Sequence, residues 1–476
     1  MQFVYISQEY TDRQVIKLIF YPACCTLAYQ AVFARKTRLR NANIASEFVP
    51  SLQHTTESNT MALSIRDWLV QPQPRLGAAG LIILLVASSL ITPLSLDMYT
   101  PAVPGMAQYF NTDVSMVNMT LVGYYVFFAL GMLFFGPLSD KYGRKPVLLA
   151  GVGLYTVGSA ACAIASSIEL LIAFRVIQAL GAGSISAVCT AVVKDSFQTY
   201  YREKILSVIQ VLFVVGPATA PVIGAGVLAV ADRRATFLIL SIVGVACFGL
   251  SLAFKETLSE NERSNGNFLQ TMKQLVVVGK NPGFISFLFL TSLFEIPFMG
   301  YIAVGSYIYV DFFGVGEVGY SLFFAVAAIL MAAGPFIWMV ASRRVSVIRF
   351  TTIMLVFAGA MGIAMMLVGQ NSPYAFCACF VAFAMAESCT RPYCMNILLE
   401  QQKRDAGSAS ALMNCIRTGI GAIGMALAAL PWTSFVMGIA ILIVVFMSIA
   451  LASWVALLKS RIPLVCVKDE EPVSIL

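Results

Sequence analysis

Residues 435–458 read FVMGIAILIVVFMSIALASWVALL and contain no charged side chain. A helix needs about twenty predominantly apolar residues to cross the hydrocarbon core of a bilayer, so this run is long enough to span it. Comparable runs occupy 79–96 and 237–254, and the 476-residue chain is 59% hydrophobic and only 12% charged. That charged fraction is about half of what a soluble globular protein carries. The sequence therefore predicts an all-α membrane protein with several transmembrane helices.

Counting such apolar runs along the chain predicts twelve transmembrane helices, which we number as spans 1 to 12. Their boundaries are expected to hold to within a few residues. The predicted spans lie near 77–103, 116–137, 146–166, 168–193, 205–229, 235–254, 284–310, 318–341, 350–369, 374–399, 406–430 and 433–458.

Basic residues are concentrated in the loops that follow the even-numbered spans. Lys141, Arg144 and Lys145 follow span 2, for example, whereas the loops after odd-numbered spans contain only Arg233 and Arg234 as basic residues. Because cytoplasmic loops are enriched in Lys and Arg, both termini are predicted to face the cytoplasm. The basic residues of the cytoplasmic loops then account for the formal net charge of +7. We therefore expect no nucleic-acid partner.

The longest polar stretch between spans is KETLSENERSNGNFLQTMKQLVVVGKNPG, residues 255–283, which separates spans 1–6 from spans 7–12. The pair Gly136-Pro137 near the end of span 2 is echoed by Gly334-Pro335 near the end of span 8, which indicates duplication. Two parallel six-helix halves with a site between them are a transporter architecture. The predicted domains are a partly disordered cytoplasmic extension (1–75), a first six-helix bundle (76–255), a cytoplasmic linker (256–283), a second six-helix bundle (284–459) and a cytoplasmic tail (460–476).

The amino-terminal extension mixes charged, Gln and Ser residues with one marginal apolar patch at 18–34. A thirteenth span there is the less favoured interpretation, because Pro22 and Gln30 interrupt the patch. A secretory signal fits less well, since basic residues rather than a cleavage site follow the patch. Met61 is a plausible alternative start, and we expect residues 1–60 to be dispensable or untranslated.

The chain offers little for enzyme or metal chemistry. Its only histidine, His54, lies in the extension, and nine of its eleven cysteines lie in or against predicted spans without CxxC spacing. The sequence shows no Ser/His/Asp constellation, metal-ligand cluster, P-loop or repeated channel filter. We therefore expect no enzyme, no cofactor and no metal, and a channel is a weak alternative. Active transport without a P-loop requires an ion gradient.

The strongest local signal is GPLSDKYGRKP, residues 136–146, between spans 2 and 3. Gly136 and Gly143 permit a tight turn and close backbone approach, and Asp140 lies within reach of Arg144 and Lys145. On these residues alone, an ordinary cytoplasmic turn with the usual positive charge explains the string as well as a functional motif does.

This string resembles, at every principal position, the cytoplasmic signature of the major facilitator superfamily. The resemblance implies a charge network between the loop and an acid at the cytoplasmic end of span 4, which stabilises the outward-open state. Asp195, in AVVKDSF, occupies that position and is expected to pair with Arg144. An ordinary interfacial aspartate is the alternative.

Three further segments narrow the resemblance to the drug:proton antiporter branch, and within it to the bicyclomycin and chloramphenicol/florfenicol exporters, the Bcr/CflA family. They are PLSLDMYTPAVP (93–104), RVIQALGAG (175–183) and GPATAPVIGAGV (216–227). The third is similar to an antiporter signature of such exporters, although close helix packing is an equal alternative for its small residues and prolines. Its candidate residues are Gly216, Pro217, Pro221 and Gly224, and Ala225 stands where a Gly is usual.

Proton coupling is assigned to Asp97 and Arg175. A guanidinium within span 4 costs several kcal/mol unless it is paired or hydrated, so Arg175 needs a partner, and Asp97 is the natural one. The segment around Arg175 resembles a motif implicated in proton transfer. Asp97 is either an interfacial acid or, as the resemblance implies, a proton carrier drawn into the cavity by a longer or tilted span 1.

The second half contains charges that the family pattern does not explain: Glu295 in span 7, and Glu387 and Arg391 in span 10. Glu387 and Arg391 are one helical turn apart, so they either pair internally or line the cavity and select charged or zwitterionic substrates. Arg417 in span 11 either completes a second charged cluster with Glu387, contacts an anion, or serves packing. The cavity is expected to be rich in Phe, Tyr and Met, and the tyrosines assigned to it are Tyr99 and Tyr124.

Together these features predict a proton-driven exporter of small amphiphilic compounds or drugs that works by alternating access. The alternative is a dedicated transporter of a polar metabolite such as an amino acid, nucleoside or siderophore. The expected partners are a small-molecule substrate, protons and membrane lipid, and the expected state is a monomer in a bacterial inner membrane. The sequence leaves H⁺ and Na⁺ open, although a solitary Asp97 suits a proton better.

Overall fold

Helices account for nearly all of the computed structural model, which describes residues 69–70, 73–260, 263, 275–402, 406–462, 464 and 467. Every predicted span is present as a helix, and most boundaries lie within a few residues of those expected; span 1 extends further, to Phe110, and span 5 begins earlier, at Thr199. The observed spans 1 to 12 are Gly77–Phe110, Val114–Tyr142, Arg144–Ala163, Ile168–Ser196, Thr199–Val230, Arg234–Ala253, Pro282–Phe312, Gly316–Ala341, Val347–Val368, Pro373–Glu400, Ala406–Ala428 and Phe435–Lys459.

Eleven helices of the described chain are long and apolar enough to cross a membrane. In the remaining span, span 5, the apolar portion described is the shorter segment Val215–Val230. Large apolar side chains such as Val157, Ile242 and Leu367 are exposed on the outer surface of the helices, where lipid rather than water is the stable surrounding. The prediction of an all-α, multi-pass membrane protein is confirmed.

Serine side chains satisfy backbone N–H groups at the start of several spans. The first turn of a helix has no intrahelical acceptor for its N–H groups, and a serine just before the helix supplies one. The N–H groups of Leu170, Arg349, Ala375 and Val436 donate to Ser167, Ser346, Ser372 and Ser434, at the beginnings of spans 4, 9, 10 and 12.

The twelve helices form two packed halves. In the first half, span 4 packs between spans 2 and 3, and span 3 packs on span 6. In the second half, span 9 packs on spans 10 and 12, and span 7 packs on span 11. Between the halves, span 2 lies against span 11 and span 5 lies against span 8, so these two pairs of helices flank the interface where a transport site is expected.

Several predictions fall on residues that the structure does not describe. Most of the extension, including the patch at 18–34, His54 and Met61, lies outside the described residues, as do part of the linker and most of the tail. The domain boundaries, the orientation of the termini and the alternative start therefore stay predictions.

Candidate functional site

Asp97 lies inside a continuous membrane-spanning segment. The helix Gly77–Asp97 continues through a 3-10 turn, Thr100–Ala102, into the helix Val103–Phe110. At 1.5 Å per residue, Asp97 lies about 30 Å from the start of span 1 and about 20 Å from its end. It is only 5% exposed. Because span 1 continues well past Asp97, the structure favours a placement of Asp97 in the cavity over the interfacial alternative.

The Asp97 carboxyl group has no cationic partner among the described residues, and no hydrogen bond to its side chain is found there. Tyr124, Tyr125 and Tyr320 lie within electrostatic range of it. Its backbone carbonyl accepts a hydrogen bond from Thr100 Oγ1 at 2.8 Å. A buried carboxyl group without a counter-ion is free to exchange a proton, because no ion pair has to be broken first.

Arg175 does not pair with Asp97, and this correction changes its expected role. Arg175 is completely buried, and its Nη1 donates to the Ser95 carbonyl at 2.8 Å and to Gln178 Oε1 at 3.0 Å. Its Nε and Nη2 have no hydrogen-bond acceptor among the described residues. The guanidinium is instead enclosed by aromatic faces. Its carbon lies 4.4 Å from the ring centroid of Tyr99, 5.0 Å from that of Tyr124 and 5.3 Å from that of Phe237.

Tyr99 and Tyr124, assigned to the cavity from the sequence, are both fully buried in this conformation and lie against Arg175. Tyr125, which the sequence did not single out, is partly exposed. It lies within electrostatic range of Asp97 in the first half and of Glu295 and Arg391 in the second. Of these three tyrosines, Tyr125 is therefore the one that faces charged groups of both halves.

Span 5 packs closely on span 1 on both sides of Asp97. A Cβ atom added to Gly216 would lie 2.7 Å from Pro93 Cγ, and one added to Gly224 would lie 3.0 Å from the Met98 carbonyl carbon. Both are closer than real Cβ contacts, so these positions require glycine. Pro217 and Pro221 lie inside the span 5 helix, and the Pro221 carbonyl accepts a hydrogen bond from Ser321 of span 8 at 2.9 Å. The packing interpretation of this motif thus has direct structural support.

Two glutamates and two arginines of the second half form one cluster. Arg391 Nε donates to Glu387 Oε1 at 3.0 Å, so the internal pair that was one of the two alternatives for span 10 is present. Arg391 Nη2 reaches Glu295 Oε1 at 3.2 Å. Arg417 donates to Glu295 through both Nε and Nη2, and its Nη2 lies 3.4 Å from Glu387 Oε1. The expected cluster of Arg417 with Glu387 is thus present, and Glu295 joins it.

The cluster lies near the middle of the membrane-spanning region, because Glu387 and Arg417 are each about halfway along their helices. Its members differ in exposure. The side chains of Glu295 and Glu387 are 6% and 4% exposed, and that of Arg417 is 13% exposed, whereas that of Arg391 is 48% exposed. Arg391 is therefore the member of this cluster that is open to an approaching molecule.

The loop between spans 2 and 3 holds the charge network expected there. Arg144 is bonded to Asp195 at 2.8 Å and to Asp140 at 2.5 Å, and its Nη1 also donates to Ser139 Oγ. Lys145 does not join Asp140; its Nζ donates to the Leu252 carbonyl. The network thus links spans 2, 3 and 4 of the first half.

The two glycines of this loop differ in their surroundings. Gly143 has a φ of +100°, a conformation that favours glycine, and a Cβ there would also meet the Glu256 carboxylate at 2.6 Å. Gly136 has open space around its Cα, so close approach does not explain it in this conformation.

Glu256 anchors the start of span 3, and the sequence did not single it out. Its carboxylate accepts hydrogen bonds from the backbone N–H groups of Arg144 and Lys145, and of Thr257 and Leu258, all at 3.0 Å. A carboxylate at a helix N-terminus is stabilised by these free N–H groups and by the helix dipole. Such a cap from a residue over a hundred positions away leaves no local sequence signal.

The halves are joined by hydrogen bonds at the end predicted to be extracellular. Tyr307 donates to the Val103 carbonyl at 3.4 Å, and Tyr320 donates to Thr100 Oγ1 at 3.2 Å. Ser321 of span 8 adds the bond to span 5 described above. These contacts close the predicted extracellular end. The Arg144–Asp195 pair is present in the same conformation, so that pair does not require an outward-open state.

Within the described residues, no group of three or more His, Cys, Asp or Glu side chains is placed to hold a metal ion. Apart from Asp97, the buried charged side chains described above bind one another, the backbone or neighbouring polar groups. The arrangement is therefore suited to binding and releasing charged groups and protons.

Eleven described helices long and apolar enough to cross a membrane, with span 5 packed among them and charged side chains buried midway along several, define a multi-pass membrane transporter. Residues 85–425 match the model of the Major Facilitator Superfamily, and the chain belongs to this family. Its members are transporters of small molecules rather than enzymes.

Individual relatives match over different lengths. The uncharacterized MFS-type transporter YdgK of Bacillus subtilis (strain 168) is 27% identical over 353 residues, which cover 72% of this chain and 87% of that protein. The chloramphenicol resistance protein of Pseudomonas aeruginosa is 31% identical over 258 residues, 54% of this chain and 61% of that protein. The D-xylose-proton symporter has the same fold, with a TM-score of 0.62 at 13% identity over 81% of this chain and 98% of that one.

Proposed function

We propose that this transporter is a proton-driven exporter of small amphiphilic compounds, working by alternating access in a bacterial inner membrane. The observation that carries the proposal is the buried Asp97 carboxyl group without a cationic partner in the described chain. Since such a group is stable when neutral and costly when charged, it binds a proton when the site is closed and releases it to water on the other side.

The surroundings of Asp97 supply a way to couple that proton to conformation. Tyr320 of span 8 donates to Thr100, and Thr100 donates to the Asp97 carbonyl, so a contact that closes the predicted extracellular end reaches the Asp97 backbone. Arg175 is a positioning residue in this proposal, because its bond to the Ser95 carbonyl fixes span 1 two residues before Asp97. The Arg144–Asp195 network keeps the first half rigid while the halves rock.

Drug export and the narrower Bcr/CflA assignment rest on resemblance. The four motifs of the first half and the relative named as a chloramphenicol resistance protein support this cargo. The chain spans 61% of that relative's length, so its cargo is carried over here as a proposal.

A second candidate is a dedicated transporter of a polar metabolite. The cluster of Glu295, Glu387, Arg391 and Arg417 favours it, because four charges held midway along the spans suit a polar cargo better than a purely apolar one. The two candidates share the proton-coupling proposal and differ in substrate.

Substitution of Asp97 tests proton coupling directly. We expect Asp97→Asn to insert normally but to lose efflux driven by a pH gradient, because an amide cannot exchange the proton. Efflux of a compound panel from cells, with and without a protonophore, and gradient-driven transport by the purified protein in vesicles provide the measurements. Asp113→Asn, at an exposed aspartate just before span 2, is the matched control and should transport normally. Full proton-driven transport by Asp97→Asn would refute the assignment.

A further inference from the structure

The four-charge cluster of the second half carries two positive and two negative groups, so its formal charges cancel. Both glutamates receive their described bonds on Oε1, and each is bonded to both arginines. An arrangement built only for stability would be expected to bury all four side chains, since a desolvated ion pair resists exchange. The 48% exposure of the Arg391 side chain departs from that expectation.

Arg391 also has unused bonding capacity on its exposed side. Its Nε and Nη2 contact the glutamates, while Nη1 has no partner among the described residues and is not buried. Tyr125 of the first half lies within electrostatic range of Arg391 from across the interface. Arg391 is therefore both half exposed and within electrostatic range of the first half.

We propose that this cluster binds the headgroup of a zwitterionic substrate by exchanging ion partners. The substrate carboxylate binds Arg391 in place of Glu387, and the cationic group of the same substrate binds the Glu387 carboxylate that Arg391 leaves. Arg417 and Glu295 stay paired and hold the site in place. The inference rests on the proposed function in that it names the substrate class of the transport site.

Charge balance selects a zwitterion over a simple anion or cation. An anion on Arg391 would give the neutral cluster one excess negative charge midway across the membrane, and a cation on Glu387 would give it one excess positive charge. Either case places one uncompensated charge in a poorly hydrated region, at a cost of several kcal/mol. A zwitterion replaces one ion pair by two and keeps the total charge at zero.

The apolar part of such a substrate has a surface to contact. Phe298 lies three residues after Glu295 on the same helix face of span 7 and is partly exposed, as is Tyr125 of span 2. Phe298 is stacked on Phe380 of span 10, with ring centroids 6.3 Å apart. The site therefore combines a charged end with an aromatic wall.

Two series of matched compounds test the inference with the purified full-length protein and no ion gradient. Phenylalanine, phenethylamine and phenylpropanoate share one ring and differ in carrying both charges, the positive one or the negative one. Tryptophan, tryptamine and indolepropanoate form the second series. We expect each zwitterion to bind at least tenfold more tightly than its two partners in calorimetry at neutral pH.

The variants Arg391→Gln and Glu387→Gln/Arg391→Gln should lose this preference, and the double variant keeps the cluster neutral if the single one misfolds. Arg344→Gln removes an exposed charge on the loop after span 8 and should keep the preference. Equal binding within both series, binding by no zwitterion, or an unchanged preference in the double variant would overturn the inference. Because binding is measured without a gradient, it can succeed even if proton-driven export fails, so the two proposals fail separately.

Discussion

Two arginines buried in the spans are stabilised in different ways. Arg417 is neutralised by carboxylates of two neighbouring helices, whereas Arg175 has carbonyl, amide and aromatic partners and no carboxylate within the described chain. Cation–π contacts are worth up to about 2 kcal/mol each when desolvated, so three rings can offset much of the cost of burying Arg175. The half that contains Asp97 thus holds a buried arginine without an acidic partner among the described residues, while the charges of the second-half cluster cancel.

Glu256 provides a test at the same scale. Glu256→Ala removes the acceptor of four backbone N–H groups, two at the start of span 3 and two just after Glu256, so we expect a loss of about 1–2 kcal/mol in stability. Thermal unfolding of the purified protein measures it. Glu260→Ala is the matched control, because the Glu260 side chain is 89% exposed. Equal unfolding temperatures for the two variants would show that the cap contributes nothing.

Some of these residue contacts could be predicted from the sequence and others could not. The Glu387–Arg391 pair follows from helical spacing, and Asp195 was placed by a motif with a fixed geometry. The partners of Arg175 are a carbonyl, an amide and aromatic rings, which leave no charge pattern to detect. The sequence could not show that Tyr125 rather than Tyr124 faces the second half, because the rotation of span 2 about its own axis depends on how the helices pack.

At the scale of helices, span 5 holds span 1 in place around Asp97. Its two close contacts, at Pro93 and Met98, lie four residues before and one residue after that carboxyl group.

Most helix boundaries were predictable because uninterrupted apolar runs determine them. The extension of span 1 to Phe110 was not, because Pro101 and Pro104 indicate an ending, whereas here they occupy first turns of new helical segments, where proline is tolerated.

Two glycines of span 5 give a matched pair of substitutions. In Gly224→Ala the new Cβ would overlap the Met98 backbone, so we expect the helices to separate, with a loss of about 1–3 kcal/mol and reduced transport. In Gly226→Ala nothing lies within 4 Å of the new atom, so we expect unchanged transport and a gain of up to about 1 kcal/mol from helix propensity. Unfolding temperature and efflux distinguish them. Similar behaviour of the two variants would contradict the packing role of Gly224.

At the scale of the whole molecule, the contacts between the halves determine which side of the transporter is open. The hydrogen bonds described between them all lie at the predicted extracellular end, from spans 7 and 8 to spans 1 and 5. Since alternating access exchanges closure at one end for closure at the other, these bonds are the ones that must break before the predicted extracellular side opens.

Weakening that closure should shift the population of conformations. The double variant Tyr320→Phe/Ser321→Ala removes two hydrogen bonds worth about 1 kcal/mol each, so the equilibrium should shift roughly thirtyfold towards the outward-open state. Spin labels on unnatural amino acids at Asn111 and Asn371, in two loops of that end, measure the distance between the halves. We expect a longer distance in the double variant and no change in Tyr374→Phe, whose side chain is exposed nearby. An unchanged distance in the double variant would mean that helix packing, and not these bonds, keeps that end closed.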